Sequence, residues 1–570
     1  MSLDFRLPVE RPRATLHGRA LLYALPTGAA ALVYVAYLLG HPYPAYGAGF
    51  FLETAERIAA NGYHLPVRIE GYTAGGVPLA YPPLAFYVLA LLVDGAGLDP
   101  FVVVRFLPGL LVVAYVLVYD GLASELSGSA RQAALAAVLL ATAPPVLQWH
   151  LSAGGVVRAL AFLFALVAVY AGVQTFRTHT AKWVVAAAVA FALVVLTHPT
   201  YAVFAAASVL LLYVGLDRSV RGLAAGAVVG LGGLALAGPW LHYVATVHGI
   251  EVFLTASGTH GGLGVGPRAL FVRLAAPLLQ GSVQSPFYAL VYLGAGWALW
   301  RRRWLLPAWL LATALVVPGN RFLFVPGSML SAAFVYEAVV PAVSDRASTP
   351  GAGSTASTLA VGVVVVGAVT AGTLYGAGAV AGIRGDGPAL PAFVDEADVE
   401  AMAWSADHTS PEATFVALGD AAEWLPFVAD RTILVGPWGA EWRETEGYPV
   451  QYARYESVSA CRTAACIARS LDRFDVRPDY VYVPRGAYTV SDEHFVQSSS
   501  MVASLAASDR FRVVYANEGV VIAAVGESYR PARRRPPTSH ASSTSASATR
   551  ARTATTSATT STGPIQTGVT

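Results

Sequence analysis

The chain has 570 residues, 55% hydrophobic and only 13% charged, with a mean hydropathy of +0.54 and a formal charge of +2. A soluble domain carries about 25% charged residues, so this balance excludes an ordinary soluble globule. A charge so near zero offers no field for nucleic acid, and repeated apolar runs of about 20 residues point to a polytopic membrane protein.

Residues 1–19 read as a cytoplasmic N-terminus carrying Arg6, Arg11, Arg13 and Arg19. The apolar run that follows, from near residue 20, is long enough to span and reads as a retained helix rather than a signal peptide. A charged stretch comes next, FLETAERIAANGYHLPVRIEGY at 51–72. Phe51, Ala55, Ile58 and Ala59 fall on one helical face and Gly62 ends the helix. It is expected to lie flat at the membrane interface, with Glu53 among its apolar residues and Glu56 and Arg57 on other faces. TAGG at Thr73–Gly76 supplies a turn, and YPPL at Tyr81–Leu84 a stiff entry to the next segment. That segment, Pro82–Val93, is too short for a comfortable span and reads as re-entrant or interfacial.

Further apolar segments begin near residues 101, 131, 156, 183, 200, 222, 286, 304, 322 and 358. With the first, they give about eleven transmembrane helices within a domain at 20–384. If Pro82–Val93 does not span, Arg131, Arg177 with Lys182, Arg218 with Arg221, Arg301–Arg303 and Arg346 all share the N-terminal side. The positive-inside rule makes that side cytoplasmic. The loop at 40–100 and the region at 385–530 then face outwards.

From about residue 393 the pattern shifts to short alternating elements. DEADVEAMAWSAD, AAEWLPFVAD, CIARSLDRF and SSMVASLAAS read as helices; ATFVALG, RTILVG and PDYVYVPR read as strands. FRVVYANEGVVIAAV reads as a hairpin. The expectation is an extracytoplasmic α/β domain, in which Asp and Glu outnumber Arg about two to one. No glycine-rich phosphate loop follows its strands. Cys461 and Cys466 lack zinc spacing; whether they pair as a disulfide stays open. The Ser/Thr-rich tail at 531–570 reads as disordered.

The predicted topology gathers polar residues at the outer helix ends: Arg105, His150, Arg158, His198, His242, His248, Glu251, His260, Asn320 and Arg321. Arginine presents planar donors matched to phosphate oxygens, so Arg105 and Arg158 suit a hydrated outer cavity holding a phosphate. They equally suit snorkelling from helix ends. The histidines form no metal motif.

The order of these pieces resembles the C-type membrane glycosyltransferases, in particular the protein mannosyltransferase and aminoarabinose transferase-like branch. The resemblance covers about residues 20–530. It rests on FFLETAERIAANGY, YPPLAFYVLALL, VVRFLPGLLVVAYVLVY, GGVVRALAFLFALVAVY, LTHPTY, GPWLHYVATVHG, RRRWLLPAWLLA and NRFLFVPGSMLSAAF, followed by the α/β region. It implies transfer of a sugar from a polyprenyl-phosphate donor to a surface protein, glycan or lipid acceptor at the outer face of the cell membrane. A carboxylate in the first outer loop would take the acceptor's proton, and cations would hold the lipid phosphate. The chain departs from the family by having Gly47, Ala48 and Gly49 where an Asp is usual, and no Asp at all between Asp4 and Asp94. Glu53 is the first replacement considered and Glu56 the second. Arg105, Arg158, His198, His242, Arg321 and Tyr81 are the candidates for the lipid phosphate and substrate. No cofactor beyond the lipid-linked donor is assigned, and metal dependence stays open. The WWDYG-type motif of oligosaccharyltransferases is absent; GPWGAEW at 436–442 does not match it. The competing functions are a transporter or flippase for a lipid-linked substrate, and a non-catalytic relative that scaffolds surface glycosylation.

Overall fold

The computed structural model describes residues 16–259, 266–346, 352–383, 387–443 and 447–526. His260, the N-terminal arginines before residue 16 and the tail at 531–570 lie outside these. All eleven expected apolar segments are helical: Leu16–Gly40, Pro100–Ser127, Ala130–Thr142 with Pro144–His150, Gly155–Thr178, Ala181–Val195, Pro199–Leu216, Val220–Val247, Ser285–Trp300, Leu305–Val316, 320–344 and Ala352–Gly376. Seven are long and apolar enough to cross a membrane, and an eighth if the pair ending at His150 counts as one span bent by 58°. The bend has a local cause. Ala143 precedes Pro144 and is extended (φ −70°, ψ 118°), as the proline ring requires of its predecessor. Ala181–Val195, Ser285–Trp300 and Leu305–Val316 are shorter than a full span, at 15, 16 and 12 residues. The segment 82–93 forms a short helix, Leu84–Ala90, running into a π turn, Leu91–Gly95.

The bundle has two unlike ends. The connections at 127–130, 178–181, 216–220 and 300–305 meet at one, tied by ion pairs Arg177–Glu125 (2.6 Å), His179–Asp217 (3.5 Å) and Arg303–Glu337 (2.7 Å). Arg131, Lys182, Arg218, Arg221, Arg301 and Arg302 flank the same connections, so this is the basic end. The other, the loop end, carries the 41–99 loop and the α/β region.

In the α/β region a five-stranded sheet runs in the spatial order Thr432–Ile433, Thr414–Ala417, Tyr480–Pro484, Val520–Val525, Phe511–Ala516. The first three strands are parallel and the last two form the expected antiparallel hairpin. Alternate residues serve opposite faces. Val416, Val481, Val483, Val521 and Ala523 pack on one side with Tyr455, Ile467 and Met501 of the helices behind. Phe415, Tyr480, Tyr482, Ile522 and Ala524 join the opposite core, shared with Phe50, Phe51, Tyr72 and Phe86 of the loop. The helix Tyr448–Ser459 and the hairpin Ala487–Val490/Glu493–Val496 were not expected from the sequence. Cys461 and Cys466 are joined as a disulfide.

This packing changes the place of the loop helix. Gly49–Ala60 was expected flat at the interface, yet residues 49–55 and Ile58 are buried. The α/β region covers it, and backbone bonds stitch the two together. The Tyr46 N–H donates to the Pro391 carbonyl (2.8 Å) and the Ile433 N–H to the Gly71 carbonyl (2.9 Å). The Tyr72 hydroxyl donates to the Glu423 carbonyl (2.7 Å), and Arg443 donates to the Thr73 hydroxyl (2.6 Å).

Candidate active site

Two arginines at the loop end define the site. Arg158 sits in the first turn of Gly155–Thr178, and its guanidinium folds back over Gly154, where a Cβ would collide with Nη1. It stacks on Trp149 at 4.8 Å. Among the described residues no carboxylate lies within ion-pair distance of it. Arg321 projects from the short turn Asn320–Leu323. Arg273 fixes that turn by donating to the Asn320 side chain (2.9 Å) and to the carbonyls of Ala314 and Gly319 (2.8 Å each). The Arg321 guanidinium lies against Phe322 (4.7 Å) and Tyr201 (5.1 Å). Its Nε is buried with no hydrogen-bond partner among the described residues. Arg158 and Arg321 feel each other's charge. Both side chains are half-buried, and like charges brought near each other with no ion-pair partner favour an anion beside them.

Aromatic rings wall the space around them. Tyr81 meets His198 at 5.9 Å and Trp442 at 5.7 Å, both edge-on. His198 caps Pro199–Leu216, accepting from the Thr200 N–H (3.3 Å), and meets Tyr201 at 5.0 Å. His150 Nε2 bonds the Tyr201 hydroxyl at 2.7 Å, which fixes the ring beneath Arg321. Burial raises the Tyr81 phenol's pKa, so it stays protonated.

Two carboxylates from the α/β region face Arg158. Glu423 ends the turn Asp420–Glu423 and is 5% exposed. Burial and the nearby Asp420 charge push it up to about 8, while Arg158 and the Phe50 N–H pull the other way. Asp420 is held by the Tyr455 hydroxyl and the backbone N–H groups of Ser491 (2.9 Å) and Asp492 (3.1 Å). Glu441 lies in the turn Ala440–Trp442, half-buried beside Tyr81 and Arg158. Burial pushes it up to about 7, against its own N–H, Arg158 and the Gly439 N–H.

Of the residues singled out in the sequence, Arg158, Arg321, Tyr81 and His198 come together here. Arg105 lies elsewhere: Nε and Nη2 donate to the carbonyls of His41 (2.9 Å) and Leu38 (2.7 Å), closing the end of the first helix. Such helix-end carbonyls lack intrahelical partners. His242 is exposed near the end of Val220–Val247. Glu53 is buried and bonded to Arg57 (2.6 Å), which also reaches Asp430 (3.0 Å). Burial pushes Glu53 up to about 7, with Arg57 opposing. Glu56 is exposed. Glu423 and Glu441 were not among the residues singled out in the sequence. Among the described residues no three His, Cys, Asp or Glu side chains converge to hold a metal ion.

No protein-family model matches the chain, and no curated protein matches it by sequence. Solved structures do. The oligosaccharyltransferase AglB from Archaeoglobus fulgidus, with an inhibitory peptide and a dolichol-phosphate, is similar at 14% identity and TM-score 0.54, over 82% of this chain and 70% of that one. ArnT from Cupriavidus metallidurans is similar at 15% identity and TM-score 0.51, over 91% of this chain and 100% of that one. The arabinofuranosyltransferase AftD from Mycobacteria is similar at 16% identity and TM-score 0.53, over 91% of this chain but 40% of that one. The chain shares the fold of these three solved membrane-protein structures.

Proposed function

We propose that the chain is a membrane glycosyltransferase that moves a sugar from a polyprenyl-phosphate donor to a surface protein, glycan or lipid acceptor. The observation that carries this reading is the Arg158–Arg321 pair, two guanidiniums without a carboxylate partner among the described residues, set at one end of a glycosyltransferase fold. The acceptor's nucleophile attacks the anomeric carbon as the bond from that carbon to the phosphate oxygen breaks. The lipid phosphate leaves with the electron pair, and the two guanidiniums stabilise its growing charge. The acceptor's proton passes to a carboxylate on the same side. Tyr81, Trp442 and His198 offer rings against which a sugar or a prenyl chain packs. Glu53 and Glu56 fit the proton acceptor's role less well than Glu423 and Glu441, since Glu53 is engaged by Arg57 and Glu56 faces solvent.

The loop end is the extracytoplasmic side in this reading. The arginines of the opposite end support it through the positive-inside rule, as does a disulfide in the α/β region. That AglB was solved with a dolichol-phosphate supports a lipid phosphate as ligand.

The test is sugar release from a panel of radiolabelled polyprenyl-phosphate sugars by the purified full chain in lipid nanodiscs. Turnover by wild type that falls in Arg158→Ala and in Arg321→Ala supports the reading. Turnover indifferent to both substitutions, or no release from any donor, overturns it.

A further inference from the structure

We propose that Glu423, carried by the α/β region, is the carboxylate that takes the acceptor's proton. The inference rests on the transferase reading above and assigns one residue within it. Three carboxylates, Glu53 and Glu423 buried and Glu441 half-buried, lie near the loop helix, and their surroundings differ. Glu53 is held by Arg57 in a bond of 2.6 Å. Glu441 is only half-buried, and its own N–H, Arg158 and the Gly439 N–H all favour its charge. Glu423 has neither a cationic partner within ion-pair distance nor a side-chain hydrogen bond among the described residues; the Phe50 N–H and the more distant Arg158 are what favour its charge. A carboxylate in that setting keeps lone pairs for an incoming proton, and its affinity for that proton lies near neutral pH, where a general base works best.

The loop has been shaped to admit this side chain. A Cβ on Gly47 would fall inside the Glu423 carboxylate, and one on Gly49 would strike the Glu423 backbone carbonyl. Gly47 is not in the left-handed region, so space rather than backbone conformation requires the glycine. The helix Gly49–Ala60 has no side-chain cap of its own, and its positive end is aimed at Glu423 through Phe50. The α/β region therefore delivers a carboxylate into the first loop, beside Arg158, at a point where the loop has no side chain.

The same geometry supplies the test. An aspartate at position 47 would project into the volume that Glu423 occupies. The full chain in nanodiscs is assayed as wild type, Glu423→Gln, Glu423→Ala, Glu423→Ala/Gly47→Ala and Glu423→Ala/Gly47→Asp. Two readouts are taken, polyprenyl-phosphate binding and the kcat and KM of sugar transfer. The amide of Glu423→Gln keeps an acceptor for the Phe50 N–H, so it is expected to bind polyprenyl phosphate within about twofold of wild type. Its kcat should fall about 10²–10⁴-fold, the usual worth of a general base. Glu423→Ala should fall likewise, and adding Gly47→Asp should restore kcat at least tenfold where adding Gly47→Ala does not. Wild-type kcat in Glu423→Gln, or equal rescue by Gly47→Ala and Gly47→Asp, overturns the assignment while leaving the transferase reading intact. Absence of both phosphate binding and transfer in wild type overturns both.

Discussion

The two ends of the helix bundle use the same cation for opposite purposes. At the basic end arginines find carboxylates: Arg177 holds Glu125 and Arg303 holds Glu337. At the loop end one group of arginines is saturated with carbonyl oxygens, Arg105 on His41 and Leu38 and Arg273 on Ala314 and Gly319. Arg57 there does hold acids, Glu53 and Asp430, whereas Arg158 and Arg321 are stacked on aromatic rings with no acid within ion-pair distance among the described residues. Stacking steadies a guanidinium without neutralising it. What separates the two groups of arginines is whether their donors are already occupied, and the proposed anion seat uses the group whose donors are not.

The sharpest way to break that contrast is to remove the unoccupied pair. Arg321→Ala and Arg158→Ala should each lower kcat/KM by about 10²–10³, the typical cost of losing one donor to a developing anion. Polyprenyl-phosphate binding should weaken alongside. Arg105→Ala should instead lower the thermal midpoint in nanodiscs and leave phosphate affinity within about twofold, because it frees two helix-end carbonyls rather than an anion seat. If Arg105→Ala weakened phosphate binding as strongly as Arg321→Ala, the division between saturated and unoccupied arginines would fail.

Much of this contrast was legible in the sequence. Eleven apolar segments could be placed because each has a run of Ala, Val and Leu bounded by arginine, proline or glycine. Arg158, Arg321, His198 and Tyr81 could be grouped because alternating spans put their ends on one side. Arg105 and His242 passed the same filter and lie elsewhere, since helix-end position fixes a side but not an azimuth. Glu53 drew attention as a charge among apolar residues, and no one-dimensional pattern distinguishes a free carboxylate from one held by the arginine four positions on. Glu423 and Glu441 were invisible for another reason. They lie more than 320 positions along the chain from the 41–99 loop, in short elements where an acid looks like solvated surface. A faint trace existed in YGAGFF, where glycines at 47 and 49 flank a helix start that lacks a capping side chain. Small residues at such a point signal that another part of the chain comes close.

A smaller effect tests that closeness directly. Gly47→Ala in an otherwise wild-type chain should push the Glu423 carboxylate aside, costing about 1–3 kcal/mol of stability as overpacking does. Transfer should drop with it. A Gly47→Ala protein with wild-type melting and wild-type turnover would mean that the loop and the α/β region stand further apart than described.

The pH response reports on the loop end. Glu423 and Glu441 are pushed up to about 8 and about 7 from an ordinary value of 4.5. A carboxyl group whose affinity for protons is higher in the folded state stabilises the fold most below about pH 4.5, and that contribution fades as pH rises through 7–8. Melting temperature should therefore decline from pH 5 to pH 8.5 while transfer rises over the same interval, as the base loses its proton. Glu423→Gln should make the melting curve shallower, Glu441 and Glu53 still titrating, and should remove the rise in transfer. Parallel rather than opposed curves in wild type would show that the group controlling stability and the group controlling turnover are different.

The smallest change belongs to the basic end. Arg177 and Glu125 are partly exposed, at 31% and 26% of their side chains, and pairs of that kind contribute about 0–1 kcal/mol. Arg177→Ala should shift the melting midpoint by a degree or two and leave kcat, KM and phosphate affinity at wild-type values. Its worth lies in what it holds constant: it removes an arginine from a helix end of the same bundle, yet takes away a charge that already has its partner. Should Arg177→Ala depress transfer as Arg158→Ala does, net positive charge on the protein, and not two unoccupied guanidiniums at the loop end, would be what the reaction requires.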